Sequence, residues 1–271
     1  MPELPEVQMV VNYIKPMIIG ERLNRIKPLW SKVLYNFDED IHRNFKKNQI
    51  IDVYRRAKFI IIAFEKHIIA IHLRMTGKLY IADKETSSKY VTAVFEFESK
   101  RSLFFEDVRK FGRIYLYKDI SIIDAKHGPE PLEKDFTVEL FKEMLNRRKR
   151  NIKALLLDQS FLSGLGNIYV DESLWKSGIH PNSFASSVPQ KKVEKLYTNI
   201  KSTLEDAISK NGTTIIDFSV NGESGKYANY LNIYGRAEKT CLECGYKIKK
   251  MKVAGRGTYV CLKCQKKYKK R

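Results

Sequence analysis

The apolar positions near the start of the chain recur with the period of an α-helix. Five aliphatic side chains after Pro5 would lie on one face of such a helix: Val7, Val10, Val11, Ile14 and Ile18. The pattern predicts a helix from about Pro5 towards Pro16, which would end or kink it. Glu3 and Glu6 lie at its N-terminal end, where the helix dipole favours carboxylates. A helix that buries this stripe would hold the start of the chain rigidly.

Between residues 21 and 118 the pattern changes to short runs of β-branched and aromatic residues. The clearest runs are 50–54, 59–64, 67–73, 90–97, 102–105 and 113–117. Strands of this length, with no helices between them, predict an antiparallel sandwich or barrel. The segment Gly128-Pro129-Glu130-Pro131-Leu132 that follows is typical of a rigid break between domains.

Beyond the break the apolar period becomes helical again. Helices are predicted at about 138–147, 152–158, 168–177 and 191–210. Between the second and third of these, Gly164 and Gly166 allow a tight two-turn connection whose backbone N–H groups could approach a phosphate. A glycine-containing turn is weak evidence by itself, because most such turns bind nothing.

The charge balance indicates what kind of partner the protein binds. In 271 residues, 50 Lys and Arg face 31 Asp and Glu, and the net charge is +19. The last 34 residues, from Glu238, hold 12 of these cations and 2 acids. This gradient predicts a polyanionic partner, and nucleic acid fits it better than a membrane. No apolar run approaches the ~20 residues that cross a bilayer, and no signal peptide is recognisable, so we expect a cytoplasmic protein.

All four cysteines lie in this basic C-terminal segment. Cys241 and Cys244 are followed, after sixteen intervening residues, by Cys261 and Cys264, which is the spacing of a zinc ribbon. Four thiolates complete a tetrahedral structural site and leave no open position for catalysis. We therefore predict one structural Zn²⁺ that folds a hairpin with Arg256 near its tip, where a guanidinium suits a phosphate contact.

The first residues offer a reactive group of a different kind. Removal of Met1 would leave a free secondary amine on Pro2, because methionine is normally trimmed before a small second residue. Such an amine attacks an aldehyde-type carbon and gives an iminium ion. It titrates near ~8, so about a tenth is unprotonated at neutral pH. For the first residues taken alone, the alternative that Pro2 and Pro5 only mark a helix start is the favoured one.

Several motifs in order along the chain resemble the formamidopyrimidine-DNA glycosylase (Fpg) family. They are Pro2-Glu3-Leu4-Pro5-Glu6-Val7, the segments 55–59, 72–77, 107–112, 128–132 and 164–172, Tyr234-Gly235-Arg236 and the four cysteines. The related endonuclease VIII begins Pro-Glu-Gly-Pro-Glu, and it is matched less well because residue 4 here is Leu. The resemblance implies an α+β protein of two domains, with an antiparallel β-sandwich led by a catalytic helix and a helix-two-turn-helix domain that ends in a zinc-finger hairpin. The corresponding division is 1–130, 131–237 and 238–271.

The resemblance also implies a catalytic set. Pro2 would attack C1′ of the damaged nucleotide, and Glu3 would move protons during ring opening and elimination. Glu6 would support that geometry, unless it is only a solvated or N-terminal helix carboxylate. Lys58, which by composition is one more surface lysine, would bind phosphate at the lesion.

A second implied set contacts DNA. His72, Asn167, Tyr234 and Arg256 match phosphate contacts of the family, although singly His72 could be a structural histidine and Tyr234 a packing aromatic. Lys153 matches a lysine near the lesion, with a solvated helix lysine as the equal alternative. The segment 221–226 loosely resembles a lesion-capping loop, and the lysine-rich segment 266–271 is interpreted as a non-specific attraction to phosphate.

Three further residues match the group that fills the space left by an extruded base. Met75 and Phe111 would act as an apolar wedge, and Arg109 would bond the orphaned partner base. Extrusion costs a few kcal/mol, so substitutes for stacking and pairing are needed. Without the resemblance, Met75 and Phe111 would be assigned to the core.

The implied protein is a monomeric, bifunctional DNA glycosylase and AP lyase. It would act on double-stranded DNA that contains oxidised purines or abasic sites, through a Schiff base at Pro2 with β,δ-elimination, and zinc would be structural. Two alternatives remain open from the residues alone. One is an endonuclease VIII-like enzyme for oxidised pyrimidines, and the other is a zinc-ribbon protein that recognises lesions without cutting.

Overall fold

The computed structural model describes residues 1–37, 48–82, 88–213, 219–220 and 223–270. The helices in these residues are α1 (Leu4–Ile18), α2 (Ser121–Asp124), α3 (Val138–Asn146), α4 (Ile152–Leu156), α5 (Asn167–Ser177) and α6 (Gln190–Ser209). The strands are β1 (Leu23–Pro28), β2 (Leu34–Tyr35), β3 (Asp52–Arg56), β4 (Phe59–Ala63), β5 (Ile68–His72), β6 (Gly77–Ala82), β7 (Val91–Phe97), β8 (Ser102–Asp107), β9 (Arg113–Tyr117), β10 (Ser219–Val220), β11 (Glu223–Ser224), β12 (Lys249–Val253) and β13 (Arg256–Val260). No helix among the described residues is both long and apolar enough to span a bilayer.

The chain forms two compact units. The first unit contains residues 1–125 and 211–226, and the second contains 126–210 and 227–271. The sequence division groups 211–226 with the helices instead. This segment joins the first unit because the Thr213 backbone N–H donates to the Glu6 carboxylate, and this contact spans 207 residues of chain.

The first unit is the predicted β-sandwich. One sheet has the order β1-β7-β8-β6 and is antiparallel throughout, and the other has the order β2-β9-β5-β4-β3. Only the pairing of β2 with β9 in the second sheet departs from the antiparallel expectation, because it is parallel. The apolar face of α1 and the inner faces of both sheets share one core.

Helix α1 extends two residues beyond Pro16, where the sequence predicts an end or a kink. Pro16 lies in the last turn and is exposed, so its missing N–H removes a single backbone bond. Burial of Ile14 and Ile18 against the sandwich outweighs that loss. The helix therefore presents its N-terminal end from a well-packed base.

The second unit contains helices α3 to α6 and the β12–β13 hairpin, as predicted. Helices α4 and α5 are joined by the glycine-containing turn, and Gly166 and Gly178 flank α5. Gly128 of the break packs on this turn so closely that an added Cβ would lie 2.5 Å from the Phe161 carbonyl oxygen. The two-turn connection between helices is thereby fixed within the unit.

Candidate active site, nucleic-acid interface and metal centre

The start of α1 is buried and held by backbone hydrogen bonds. Pro2, Glu3 and Glu6 are all buried, the last two at 3% and 2% exposure. The Glu3 N–H donates to one oxygen of Glu6 at 2.8 Å, and the Thr213 N–H donates to the other at 2.8 Å. Glu6 is thus not a solvated carboxylate, and it is the N-terminal helix carboxylate that closes the capping box of α1. It positions the residues that precede it.

Two glycines that the sequence analysis did not single out make this arrangement possible. Gly212 has φ +70°, and a Cβ there would lie 2.9 Å from Glu6 Oε1. A Cβ on Gly225 would lie 2.4 Å from the Gly212 carbonyl oxygen. Gly212 therefore packs against α1, and Gly225 packs against the backbone of Asn211 and Gly212. Of the predicted capping loop, Asn221 and Gly222 lie outside the described residues.

Lys58 lies in the turn between β3 and β4, beside α1. Strand β3 is tied to the helix because Arg55 Nε donates to the Gln8 side chain at 3.1 Å, while Arg55 Nη1 donates to the Ala57 carbonyl at 3.0 Å. Ala57 has φ +52°, which turns the chain sharply at this point. Lys58 is only 6% exposed, so it is not the ordinary surface lysine that composition alone would predict.

His72 ends β5 with one ring nitrogen engaged. Its Nδ1 accepts the Arg74 backbone N–H at 3.0 Å, and its ring meets Phe59 edge-on at 4.8 Å between centroids. In the neutral ring the proton must then be on Nε2. The side chain is 9% exposed.

The structure gathers Met75, Arg109 and Phe111 on the surface of the first unit. Arg109 Nη1 lies 2.9 Å from Met75 Sδ, and the guanidinium stacks 4.9 Å from the centre of the Phe111 ring. Met75 is 43% and Phe111 47% exposed, so neither belongs to the core. Exposed apolar side chains grouped around an arginine are suited to enter a base stack.

Asp107 organises the two turns that carry this group. Its buried carboxylate accepts the Thr76 hydroxyl, the Arg109 N–H at 3.1 Å and the Gly112 N–H at 2.7 Å. The Thr76 oxygen in turn accepts the Arg109 N–H at 3.1 Å. The Met75 turn and the Arg109–Phe111 turn are therefore held as one surface.

In the second unit, Asn167 and Arg256 meet beside β13. Asn167 begins α5, and its Nδ2 donates to the Gly257 carbonyl at 2.9 Å. Ala254 and Gly255 form the tip of the hairpin with positive φ, and exposed Arg256 follows directly. The start of a helix and a guanidinium thus lie together, and both favour phosphate.

Tyr234 belongs to the same group through Glu172. The buried Glu172 carboxylate accepts three successive backbone N–H groups, from Asn232 at 3.0 Å and from Ile233 and Tyr234 at 2.9 Å each. The Tyr234 ring then packs edge-on against Tyr259 of β13, with the centroids 5.1 Å apart. Tyr234 does pack as an aromatic, and that packing sets it against the hairpin that carries Arg256.

Lys153 differs from one of its two sequence interpretations, the solvated helix lysine, which was wrong. It is fully buried, with its Nζ 2.6 Å from Asp171 and 2.7 Å from the Thr258 hydroxyl. The other Asp171 oxygen accepts the Tyr259 N–H at 3.0 Å. Burial raises the pKa of the Asp171 carboxyl to about 6, while the charge of Lys153 opposes the shift. Lys153 is therefore not a solvated lysine, because it is buried and joins α4 and α5 to the hairpin.

The four cysteines form the predicted metal site. Their sulfur atoms all lie within 4.8 Å of one another, with Cys241 and Cys264 3.8 Å apart and Cys244 and Cys261 3.4 Å apart. A tetrahedral Zn–S₄ centre with bonds of ~2.3 Å needs sulfur atoms roughly 3.8 Å apart, so the site fits zinc. Trp175 of α5 packs against the cysteines. All four positions are cysteine, which makes the zinc structural.

Three models of known protein domains match successive segments of this chain. Residues 1–114 match the formamidopyrimidine-DNA glycosylase N-terminal domain, and residues 127–219 match the H2TH domain of the same glycosylase. Residues 238–267 match the zinc finger found in FPG and IleRS.

Relatives match along nearly the whole chain. A formamidopyrimidine-DNA glycosylase from Protochlamydia amoebophila is 41% identical and covers 94% of this chain and 95% of its own. One from Lactobacillus gasseri is 38% identical, with 93% and 94% covered. The solved complex of Lactococcus lactis Fpg with DNA containing an abasic site superposes with a TM-score of 0.91 at 34% identity, covering 98% of this chain and 100% of that one. A complex of the Lactococcus enzyme with Fapy-dG DNA gives 0.90.

The fold, the zinc site and these matches define a DNA-binding glycosylase of DNA repair. The chain belongs to the formamidopyrimidine-DNA glycosylase family. Its predicted fold class and its single structural zinc are confirmed.

Proposed function

We propose that this glycosylase is bifunctional, removing oxidised purines such as 8-oxoguanine and formamidopyrimidines and then cutting the strand as an AP lyase. We infer that the protein acts as a monomer. Its nucleophile is the N-terminal amine of Pro2, which is set free by removal of Met1. The observation that carries the proposal is the buried start of α1, where Glu6 holds the Glu3 backbone and ties it to Thr213. A nucleophile gains most from such fixed placement against its target.

The first step displaces the base. The lone pair of the Pro2 nitrogen attacks C1′, the glycosidic bond between C1′ and the base nitrogen breaks, and the base leaves with the proton that the Pro2 nitrogen gives up. Glu3, the adjacent buried carboxyl, protonates O4′ as the sugar ring opens. The product is an iminium ion between Pro2 and C1′, which is cationic without any further proton because the amine is secondary.

Two eliminations then cut the strand. Loss of a C2′ proton to a carboxylate such as Glu3 expels the 3′ phosphate, and loss of a C4′ proton expels the 5′ phosphate. Water finally hydrolyses the iminium and regenerates the amine. A gap of one nucleotide remains, with a phosphate at each end. No redox cofactor enters these steps, and the zinc only folds the hairpin that carries Arg256.

The remaining residues hold the DNA backbone. We assign Lys58 and His72 in the first unit, and Asn167, Tyr234 and Arg256 in the second, to phosphate contacts. Support comes from the Nε2–H of His72, the helix start at Asn167 and the exposed guanidinium of Arg256. Met75, Arg109 and Phe111 would fill the space of the extruded base.

Loss of the Asp107 charge is expected to loosen this wedge. Asp107→Asn places an amide N–H where the Gly112 N–H or the Thr76 hydroxyl now donates, which should lower the free energy of unfolding by ~1–3 kcal/mol. Base excision from duplex DNA should fall on the order of 10- to 100-fold, because the wedge is misplaced. Single-turnover kinetics and thermal unfolding measure the two effects.

Glu106→Gln is the matched control for that variant. Glu106 is the neighbouring residue on β8, and its carboxylate accepts the Tyr80 hydroxyl at 3.2 Å instead of wedge backbone. It should excise like the parent protein. An equal decrease in the rate of base excision in the two variants would contradict the role assigned to Asp107.

Substrate choice and covalent chemistry are tested together on synthetic duplexes. We expect faster excision of 8-oxoguanine opposite cytosine than of thymine glycol, and a borohydride-trapped adduct on abasic-site DNA. Peptide mapping should locate the adduct at Pro2. A preference for thymine glycol would favour an endonuclease VIII-like specificity. The absence of any adduct, with mass spectrometry showing Met1 removed, would leave a lesion-binding protein without lyase activity.

A further inference from the structure

The last residues of the chain form a bonded strand rather than a loose tail. The Lys266 N–H donates to the Gly178 carbonyl at 3.0 Å, and the Lys266 carbonyl accepts the His180 N–H at 2.9 Å. The Tyr268 carbonyl accepts the Phe184 N–H at 2.8 Å, and its own N–H donates to the Ser183 hydroxyl at 3.1 Å. The alternating bonds hold residues 266–268 extended beside 178–184.

The segment 178–185 is bonded on its other side to a second basic stretch. The Arg150 carbonyl accepts the Ala185 N–H at 2.9 Å, and Asn151 pairs with Phe184 in an antiparallel bridge. Two strand spacings of ~4.8 Å separate the outer segments, so their backbones run about 10 Å apart. The resulting surface, which we name the C-terminal ledge, carries six exposed cations: Arg148, Lys149, Lys266, Lys267, Lys269 and Lys270.

The charge of this ledge is not compensated. None of its six cations forms an ion pair within the part of the chain that the structure describes, whereas neighbouring Arg150 pairs with Asp158 at 2.9 Å. The segments 144–157, 173–193 and 244–271 contain no Asp or Glu at all. Desolvation, and then the charge of Lys267, lower the pKa of His180, which lies between the two basic stretches. A fixed and unpaired array of this kind repels itself until a polyanion binds.

The ledge lies away from the phosphate contacts assigned above within the same unit. Asn167 and Arg256 lie at the first turn of α5, while Gly178, which accepts from Lys266, follows its last turn. Eleven residues at ~1.5 Å each place the two ends about 15 Å apart. This distance corresponds to roughly four or five steps of a DNA duplex at ~3.4 Å per step.

We infer that the C-terminal ledge is a second DNA-binding surface, which engages the phosphate backbone of duplex several base pairs away from the damaged nucleotide. It rests on the DNA-binding function proposed above, and it extends the footprint beyond the lesion. The contact reads no sequence, because lysine and arginine side chains on a strand edge reach phosphates and not base edges. It would hold the protein on undamaged DNA between lesions.

The test is the salt dependence of binding to undamaged duplex several helical turns long. Each neutralised phosphate contributes about 0.9 to the slope of log Kobs against log salt. The combined Lys267→Gln, Lys269→Gln and Lys270→Gln variant should reduce that slope by about 1 to 3. Fluorescence anisotropy on zinc-loaded full-length protein measures the slope.

The matched control removes three exposed lysines at strand ends of the first unit that lie away from His72 and Asp107. Lys66→Gln and Lys118→Gln lie at the end of the five-stranded sheet opposite His72, and Lys100→Gln lies in the β7–β8 turn. This triple variant should leave the slope within experimental scatter. An unchanged slope in the ledge variant would contradict the proposed DNA-binding role of the C-terminal ledge. An equal decrease of the slope in both triple variants would contradict it as well. Failure of the parent protein to excise any lesion would instead contradict the proposed function and leave the ledge result standing.

Discussion

Replacing Pro2 with glycine should reduce base excision by at least about 100-fold while DNA affinity stays within a few-fold of the parent protein. Pro2 is buried at the start of α1, and its ring fixes φ so that the nitrogen has one direction of attack. Glycine supplies a primary amine with a free backbone, and its imine carries charge only after it is protonated. Single-turnover excision and borohydride trapping report the chemistry, and anisotropy at matched salt reports binding.

The control for this variant lies at the other end of the same helix. Pro16→Ala changes an exposed proline in the last turn of α1, far from the buried chain start, and should excise normally. Intact mass must show that Met1 is absent in every preparation, because a retained Met1 turns the Pro2 nitrogen into an amide. Excision by Pro2→Gly at the parent rate would refute the amine as nucleophile. Unfolding of that variant would make Pro2 a structural residue.

Replacing Cys261 with serine should abolish zinc binding and weaken DNA binding by at least tenfold. Structural zinc contributes about 10–16 kcal/mol to small fingers, so three remaining thiolates should not keep the hairpin folded. The hairpin carries Arg256, and its Thr258 and Tyr259 hold the Lys153–Asp171 pair. Loss of the metal should therefore disturb the Asn167 end of α5 as well. Metal analysis and anisotropy measure the two effects.

Leu262→Ser is the control for Cys261→Ser, because it alters the residue that follows Cys261 and leaves all four zinc ligands in place. Leu262 is 52% exposed, so little core is lost and zinc should remain bound. Chelation of zinc from the unaltered protein should reproduce the Cys261→Ser phenotype. Full DNA affinity of the zinc-free protein would contradict the assigned role of the hairpin.

The sequence by itself determined the elements and much of the reactive set. Period-two and helical patterns predicted the sandwich, α1 and the paired helices, since each pattern reflects which face of one element is buried. Cysteine spacing predicted the metal site, because both knuckles are local in sequence. The order of motifs along the chain indicated the family, and with it the candidate roles of Pro2, Glu3 and Arg256.

Only the tertiary structure decided how these residues are held. Asp107 binds Thr76, Glu172 gathers the Asn232–Tyr234 backbone, and Lys153 bonds Thr258 across 105 residues of chain. A signal existed in the sequence, since acids among buried apolar residues usually have partners, but nothing in it named those partners. Lys153 was misjudged for that reason, because burial and pairing depend on which segments meet.

The same distinction applies to the two ends of the chain. The sequence offered an amine at Pro2 and a lysine-rich terminus. Packing fixed the first through Glu6, Gly212 and Thr213, and it fixed the second through backbone bonds to 178–184. Contacts between distant segments depend on long-range chain closure, which local propensity does not encode.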